Sequence, residues 1–150
     1  MKKWPLLVLF LLFLSFTGFA QSNTFLDEVL EREEVLFGGA LKLVFSGAGL
    51  LPEDVTEERA IAYLESQDWG IAVKGTAQTI TLGEYSLVVM KALDLPGGIM
   101  YSIASVPRYA VRELDYLGFI DGSTAPGRTL SGEEAVRVLG RALEWRREES

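Results

Sequence analysis

Two stretches of this chain begin alike and stay in step without a gap. Thr81-Leu82-Gly83-Glu84-Tyr85 and Ser131-Gly132-Glu133-Glu134-Ala135 each place a glutamate three positions after a hydroxyl residue. In that capping-box arrangement each side chain satisfies an orphan backbone N–H of a helix's first turn. Apolar residues then fall at Tyr85, Val88, Val89, Ala92 and Leu93, and at Ala135, Val138, Leu139, Ala142 and Leu143. Both sets follow i, i+3, i+4, i+7, i+8, the signature of an amphipathic helix with one buried stripe. The match at a separation of 50 residues predicts an internal duplication, in which helical units bury their apolar faces against one another.

The surrounding sequence supplies more helices. Ser105-Val106-Pro107-Arg108-Tyr109-Ala110 predicts another start, with Ser105 or Val106 near the cap and proline in the first turn, where its missing N–H costs nothing. Ala110, Leu114 and Leu117 form its apolar face, and Gly118 is placed to end it in a left-handed turn. Asp121 then leads into a small-residue loop from Ser123 to Arg128. The earlier half reads similarly: a helix over Gly39–Ser46, breakers at Gly47 and Gly49, a connector from Pro52 to Val55, and a helix opening at Thr56. Thr24 to Leu36 predicts a solvated helix with Leu26, Val29, Leu30 and Leu36 on one side, Gly70 to Ile80 is the least helical part, and the charged tail Arg146–Ser150 is expected to fray.

The first twenty residues carry an address. Lys2 and Lys3 precede an uncharged apolar run from Trp4 to Phe16, followed by small residues at Gly18 and Ala20. These are the parts of a secretory signal peptide, and the run is shorter than the roughly 20 apolar residues of a membrane span. The expected division is a signal peptide over 1–20, an N-terminal helix over 21–38 and a helical domain over 39–150, with no membrane insertion after cleavage. Cysteine is absent, so disulfides, thiolate metal sites and cysteine nucleophiles are excluded together. Without Lys2 and Lys3, 12 basic residues face 21 acidic ones, a net charge of −9. Such a balance repels nucleic acid and anionic lipid, and a polyanionic partner requires a local cluster of arginines.

From Ile80 to Trp145 the chain resembles the S-layer homology domain, a helical repeat by which exported bacterial proteins attach to cell-wall polymers. Tyr109-Ala110 looks like the aromatic-alanine pair that opens a helix in that family, and Gly118-Phe119-Ile120-Asp121-Gly122 like its glycine turn. Thr81-Leu82-Gly83-Glu84 and Leu130-Ser131-Gly132-Glu133-Glu134 look like copies of its Thr-Arg-Ala-Glu motif, with Leu82 and Gly132 where the family has arginine. Gly39 to Trp69 reads as a more degenerate copy, and Thr56 is a candidate third helix start, with Arg59 where glutamate is expected. The resemblance implies an all-α, compact bundle of about six helices, built from two or three helix–loop–helix repeats.

Chemistry is sparse. With no histidine and no cysteine, the usual neutral-pH acid–base group and the strongest nucleophile are both missing, so no catalytic residue and no cofactor are expected. Glu84 and Glu134 form a conceivable carboxylate pair for glycoside hydrolysis, but capping explains both. Asp121 is a single carboxylate in its loop, too few for calcium, and no metal site is expected. Arg128 and Lys74 precede the Ser131 and Thr81 helix starts, where anions are already favoured, and Tyr109, Arg108 and Trp69 can add walls to a binding groove. Two functions remain: a scaffold or interaction module docking another envelope protein, and a module binding an anionic cell-wall glycan. Leu82 and Gly132, standing in place of the motif arginines, favour the scaffold. Both readings place the protein in the periplasm or at the cell surface.

Overall fold

The computed structural model describes residues 17–150, with side chains from Thr24 onward. The first 16 residues of the expected signal peptide lie outside the described residues. Among the described residues there are seven helices: α1 (Thr17–Leu30), α2 (Phe37–Gly47), α3 (Glu57–Glu65), α4 (Leu82–Ala92), α5 (Ile99–Ile103), α6 (Pro107–Tyr116) and α7 (Gly132–Glu149). Among the described residues there is no strand beyond two isolated bridges, and no helix is long and apolar enough to cross a membrane. The architecture is all-α.

Three central helices, α2, α4 and α7, touch one another pairwise, and each carries one outer helix: α3 on α2, α6 on α4, α1 on α7. The third pair therefore joins the two ends of the described chain. Tyr85, Val88 and Val89 of α4 and Ala135, Val138 and Ala142 of α7 are buried, so the two similarly spaced stripes face a common interior. Phe37, Leu41, Val44 and Phe45 of α2 complete that core. The Tyr85 hydroxyl, fully buried, donates to the Ala135 carbonyl at 2.6 Å and ties α4 to α7.

The starts of the three central helices form a closed ring. The first turn of a helix leaves N–H groups without intrahelical partners. Here they donate to the segment preceding the next central helix: Phe37 to the Gln78 carbonyl at 2.6 Å, Leu82 to Arg128 at 2.8 Å, and Gly132 to Arg32 at 2.9 Å. Between them, Ile80 donates to Val35 at 3.2 Å and Val35 to Leu130 at 3.0 Å, and all three of these side chains are buried.

The local reasons vary by element. Thr81 and Glu84 form the complete capping box. Ser131 Oγ accepts from the Glu134 N–H, but the Glu134 carboxylate turns to Arg128 instead of closing the box. Val106 is the N-cap of α6 with Pro107 in its first turn, and Gly118 ends it at φ +76°, a conformation that favours glycine. Thr56 caps α3, an outer helix, so the third start in the ring is Leu36–Phe37, which has no capping side chain because the ring's carbonyls serve its N–H groups.

Several boundaries differ from the sequence expectation, α2 starting at Phe37 and not Gly39 among them, and one helix is new. α1 ends at Leu30, not Leu36: Glu31 to Glu34 offer nothing to bury, and Leu36 pairs with Thr79. The tail stays helical to Glu149, with Arg146 and Arg147 in a last turn whose carbonyls favour cations. α5 has no counterpart in the sequence reading. The starts of α2 and α3 lie 20 residues apart and those of α4 and α6 lie 25, and α5 lies within the longer connection.

Candidate functional site

The two cations expected beside the helix starts, Arg128 and Lys74, are already engaged. Arg128 grips the Glu134 carboxylate with both terminal nitrogens, at 2.9 and 2.5 Å, while its Nε donates to the Ser123 carbonyl at 2.7 Å. Glu134 is buried, and pairing with it holds the Arg128 guanidinium above its ordinary pKa. Lys74 Nζ donates to Glu84 Oε2 at 2.8 Å, the same oxygen that accepts from the Thr81 N–H at 2.8 Å. Each cation therefore neutralises the glutamate at its own helix start. These pairings also account for both carboxylates of the conceivable hydrolytic pair.

Trp69 packs on the α2–α3 unit, its ring 6.0 Å from Phe45 in an edge-on contact, and is half-buried in the core margin. Asp121 faces Arg141 and Arg137 at 3.1 and 3.2 Å, and the Arg141 hydrogen bond holds its carboxyl below the ordinary range. That environment satisfies the carboxylate without a metal. Among the described residues no group of three or more acidic, histidine or cysteine side chains is arranged to hold one.

Of the five expected site residues, only Arg108 and Tyr109 fall together on an open surface. Arg108 is exposed and Tyr109 half-buried on α6. Tyr109 borders a groove of about 500 Å3 between α5 and α6, lined also by Ile99, Met100, Arg112, Glu113 and Tyr116. Ala110, Val111 and Leu114 turn α6 inward, which sends Arg108, Tyr109, Arg112 and Tyr116 outward at i, i+1, i+4 and i+8. Tyr116 is 86% exposed, Ile99 80% and Ile103 75%. Sequence reasoning missed Arg112, Tyr116 and all of α5. The readable signal was there: an outward stripe of alternating arginine and tyrosine, and apolar Ile99-Met100 directly after Pro96-Gly97-Gly98.

One further acid is set apart. Glu57, first residue of α3, lies against Gly38 and Gly39 at the start of α2, where any side chain on Gly38 would collide with it. Burial, reinforced by Glu58, raises its pKa despite the opposing pull of Lys42 and Arg32.

Comparison with protein-family models, with curated proteins and with solved structures gives no match for this chain.

Proposed function

We propose that this is an exported, non-catalytic protein of the cell envelope, in which a fold of the S-layer-homology type serves as a scaffold or interaction module for other envelope proteins. Supporting the fold reading are the two similar pairs α2–α3 and α4–α6, the third position filled by α7 with α1, and the ring joining the three starts. On this reading the helix–loop–helix repeat occurs three times, the last assembled from both ends of the domain. The scaffold function is carried by one observation: Lys74 and Arg128, the cations at the helix starts, are bound to Glu84 and Glu134 within the domain.

A second reading, binding of an anionic cell-wall glycan, draws on Arg108 and Arg112. Among the described residues neither enters an ion pair, and tyrosines lie beside them. Retention on isolated cell-wall sacculi at low and high salt, with chemical cross-linking in intact cells, separates the two. The scaffold reading expects no retention and a discrete cross-linked envelope protein. Retention that weakens with salt and disappears in Arg108→Ala/Arg112→Ala establishes the glycan reading instead.

A further inference from the structure

The face of α6 that lines the α5–α6 groove has the order tyrosine, cation, anion, tyrosine. Tyr109, Arg112, Glu113 and Tyr116 all border that groove and fall at i, i+3, i+4 and i+7, a single stripe of the helix. Turned end for end, the order sets tyrosine against tyrosine and cation against anion. Among the described residues neither Arg112 nor Glu113 enters an ion pair. Ile99 and Met100 form the opposite wall, 80% and 48% exposed, with Ile103 at 75% one turn on. Tyr116 and Val106 are exposed on the same edge, so the isolated domain leaves more large apolar side chains wet here than anywhere else among the described residues.

We infer that the α5–α6 edge is the contact between two copies of this chain, their α6 helices antiparallel about a two-fold axis that passes between Arg112 and Glu113. A two-fold contact uses the same patch on both copies, so the patch must be complementary to itself. This stripe is. Positions 109 and 116 are equidistant from the axis, as are 112 and 113, so each Arg112 meets Glu113 of the second copy and each Tyr109 meets Tyr116. Charge selects this occupant over others. A ligand of one sign meets as much repulsion as attraction at a patch holding both Arg112 and Glu113, whereas an inverted copy meets its opposite at every charge. Arg108 and Asp115, both exposed, follow the same rule, since antiparallel pairing brings Arg108 of one copy to the end of the pair that holds Asp115 of the other. Elsewhere the chain is acidic, 12 basic residues facing 21 acidic ones after export, and its copies repel one another. That repulsion is damped over a screening length of about 8 Å at physiological ionic strength, which leaves the balanced edge as the place of approach. Tyrosine and arginine are enriched at protein contacts, and Ile99 and Met100 add apolar area beside them. The inference needs neither an envelope partner nor a glycan and is read on the purified chain, so its failure leaves the proposed function untouched.

The test is sedimentation equilibrium of the exported chain, its N-terminus established by mass spectrometry, with circular dichroism to show that each variant is folded. The expected result is a monomer–dimer equilibrium in the unaltered chain and in Val73→Asp, which alters an exposed apolar residue elsewhere. Arg112→Glu and Glu113→Arg each set like charges against one another at both symmetry-related positions, and each should weaken dimerisation roughly tenfold or more. Mixed in equal amounts, the two variants bring opposite charges back into register and should form a heterodimer. The exchanged chain, Arg112→Glu/Glu113→Arg, should dimerise by itself. Recovery on mixing is specific to the two-fold register, because damage within either copy would persist in the mixture. Independently of charge, Arg112→Cys supplies the chain's only thiol, beside the axis, and should join two copies through a short bis-maleimide. The inference is overturned by a monomer at concentrations up to about 1 mM, or by a dimer that both charge reversals leave unchanged. It is equally overturned by folded reversal variants that do not recover on mixing, by absence of the position-112 cross-link, or by a monomer whose α5–α6 edge cross-links to a different envelope protein.

Discussion

Two glycines of the same helix should respond to alanine with opposite signs. Gly132 opens α7 against the end of α1, and a Cβ there overlaps the Val29 carbonyl oxygen and stands 2.5 Å from its carbonyl carbon. Backbone cannot yield as a flexible side chain does, so α1 must withdraw. Val29 is 5% exposed, and freeing it costs about 2 kcal/mol. Losing the Gly132 N–H bond to Arg32 adds about 1 kcal/mol, and the helix preference of alanine returns less than about 1 kcal/mol. Gly132→Ala should therefore lose roughly 2 kcal/mol, or about 6 °C in melting temperature for a domain of this size. Gly140, in the exposed middle of α7, has nothing within 4 Å of an added Cβ. Gly140→Ala should gain about 0.5–1 kcal/mol from the lower entropy of the unfolded chain. Urea unfolding followed by circular dichroism measures both. If Gly132→Ala proves as stable as the parent, α1 is not seated on the start of α7 and the third helix pair does not exist as described.

Other substitutions probe the remaining contacts. Val88→Asp or Leu139→Asp places an unpaired charge in the core shared by α4 and α7 and should abolish the cooperative thermal transition; melting either variant like the parent refutes the shared interior. Arg128→Met strands the buried Glu134 carboxylate and should cost roughly 2 kcal/mol, the quarter exposure of the arginine limiting the loss. Lys74→Met should cost less than about 1 kcal/mol, because Glu84 retains its Thr81 partner; urea midpoints that reverse this order contradict the pairing described. Glu57 has its folded-state pKa raised, so the native state binds more protons and stability falls as pH rises from the unfolded value through the folded one. Glu57→Gln should accordingly be more stable than the parent at neutral pH and lose that advantage toward pH 4; an unchanged pH profile of the melting temperature counts against it.

How much of this was legible in the sequence depended on whether a segment's partner was local. α4, α6 and α7 could be read because their caps, stripes and glycine stop lie within a few residues of one another, as in Thr81 with Glu84 or Leu114 with Gly118. The start of α2 carried no such mark: Leu36 has no capping oxygen, and the carbonyls that serve Phe37 and Gly38 belong to Gln78 and Thr76. For the same reason Thr56, with its visible cap, looked like the better candidate for a third start. Arg128 and Lys74 were placed correctly near helix starts, but the carboxylates that occupy them are those already assigned to capping, and a pattern reading cannot say which partner a glutamate takes. At the α5–α6 edge the exposure of Ile99 and Ile103 depends on how the α5 turn is aimed. Periodicity over five residues does not determine that.

The central claim is that the three helix starts close a single hydrogen-bonded ring around a shared core. Native-state hydrogen exchange measures it directly at the amides of Val35, Ile80 and Leu82, whose acceptors lie in other units of the ring. The account predicts that all three exchange only through global unfolding, with one common free energy that Gly132→Ala lowers by the same amount at each. Exchange of Val35 at a much lower free energy than Ile80 and Leu82 would contradict it, because the ring would then be open on the side where α1 meets α7.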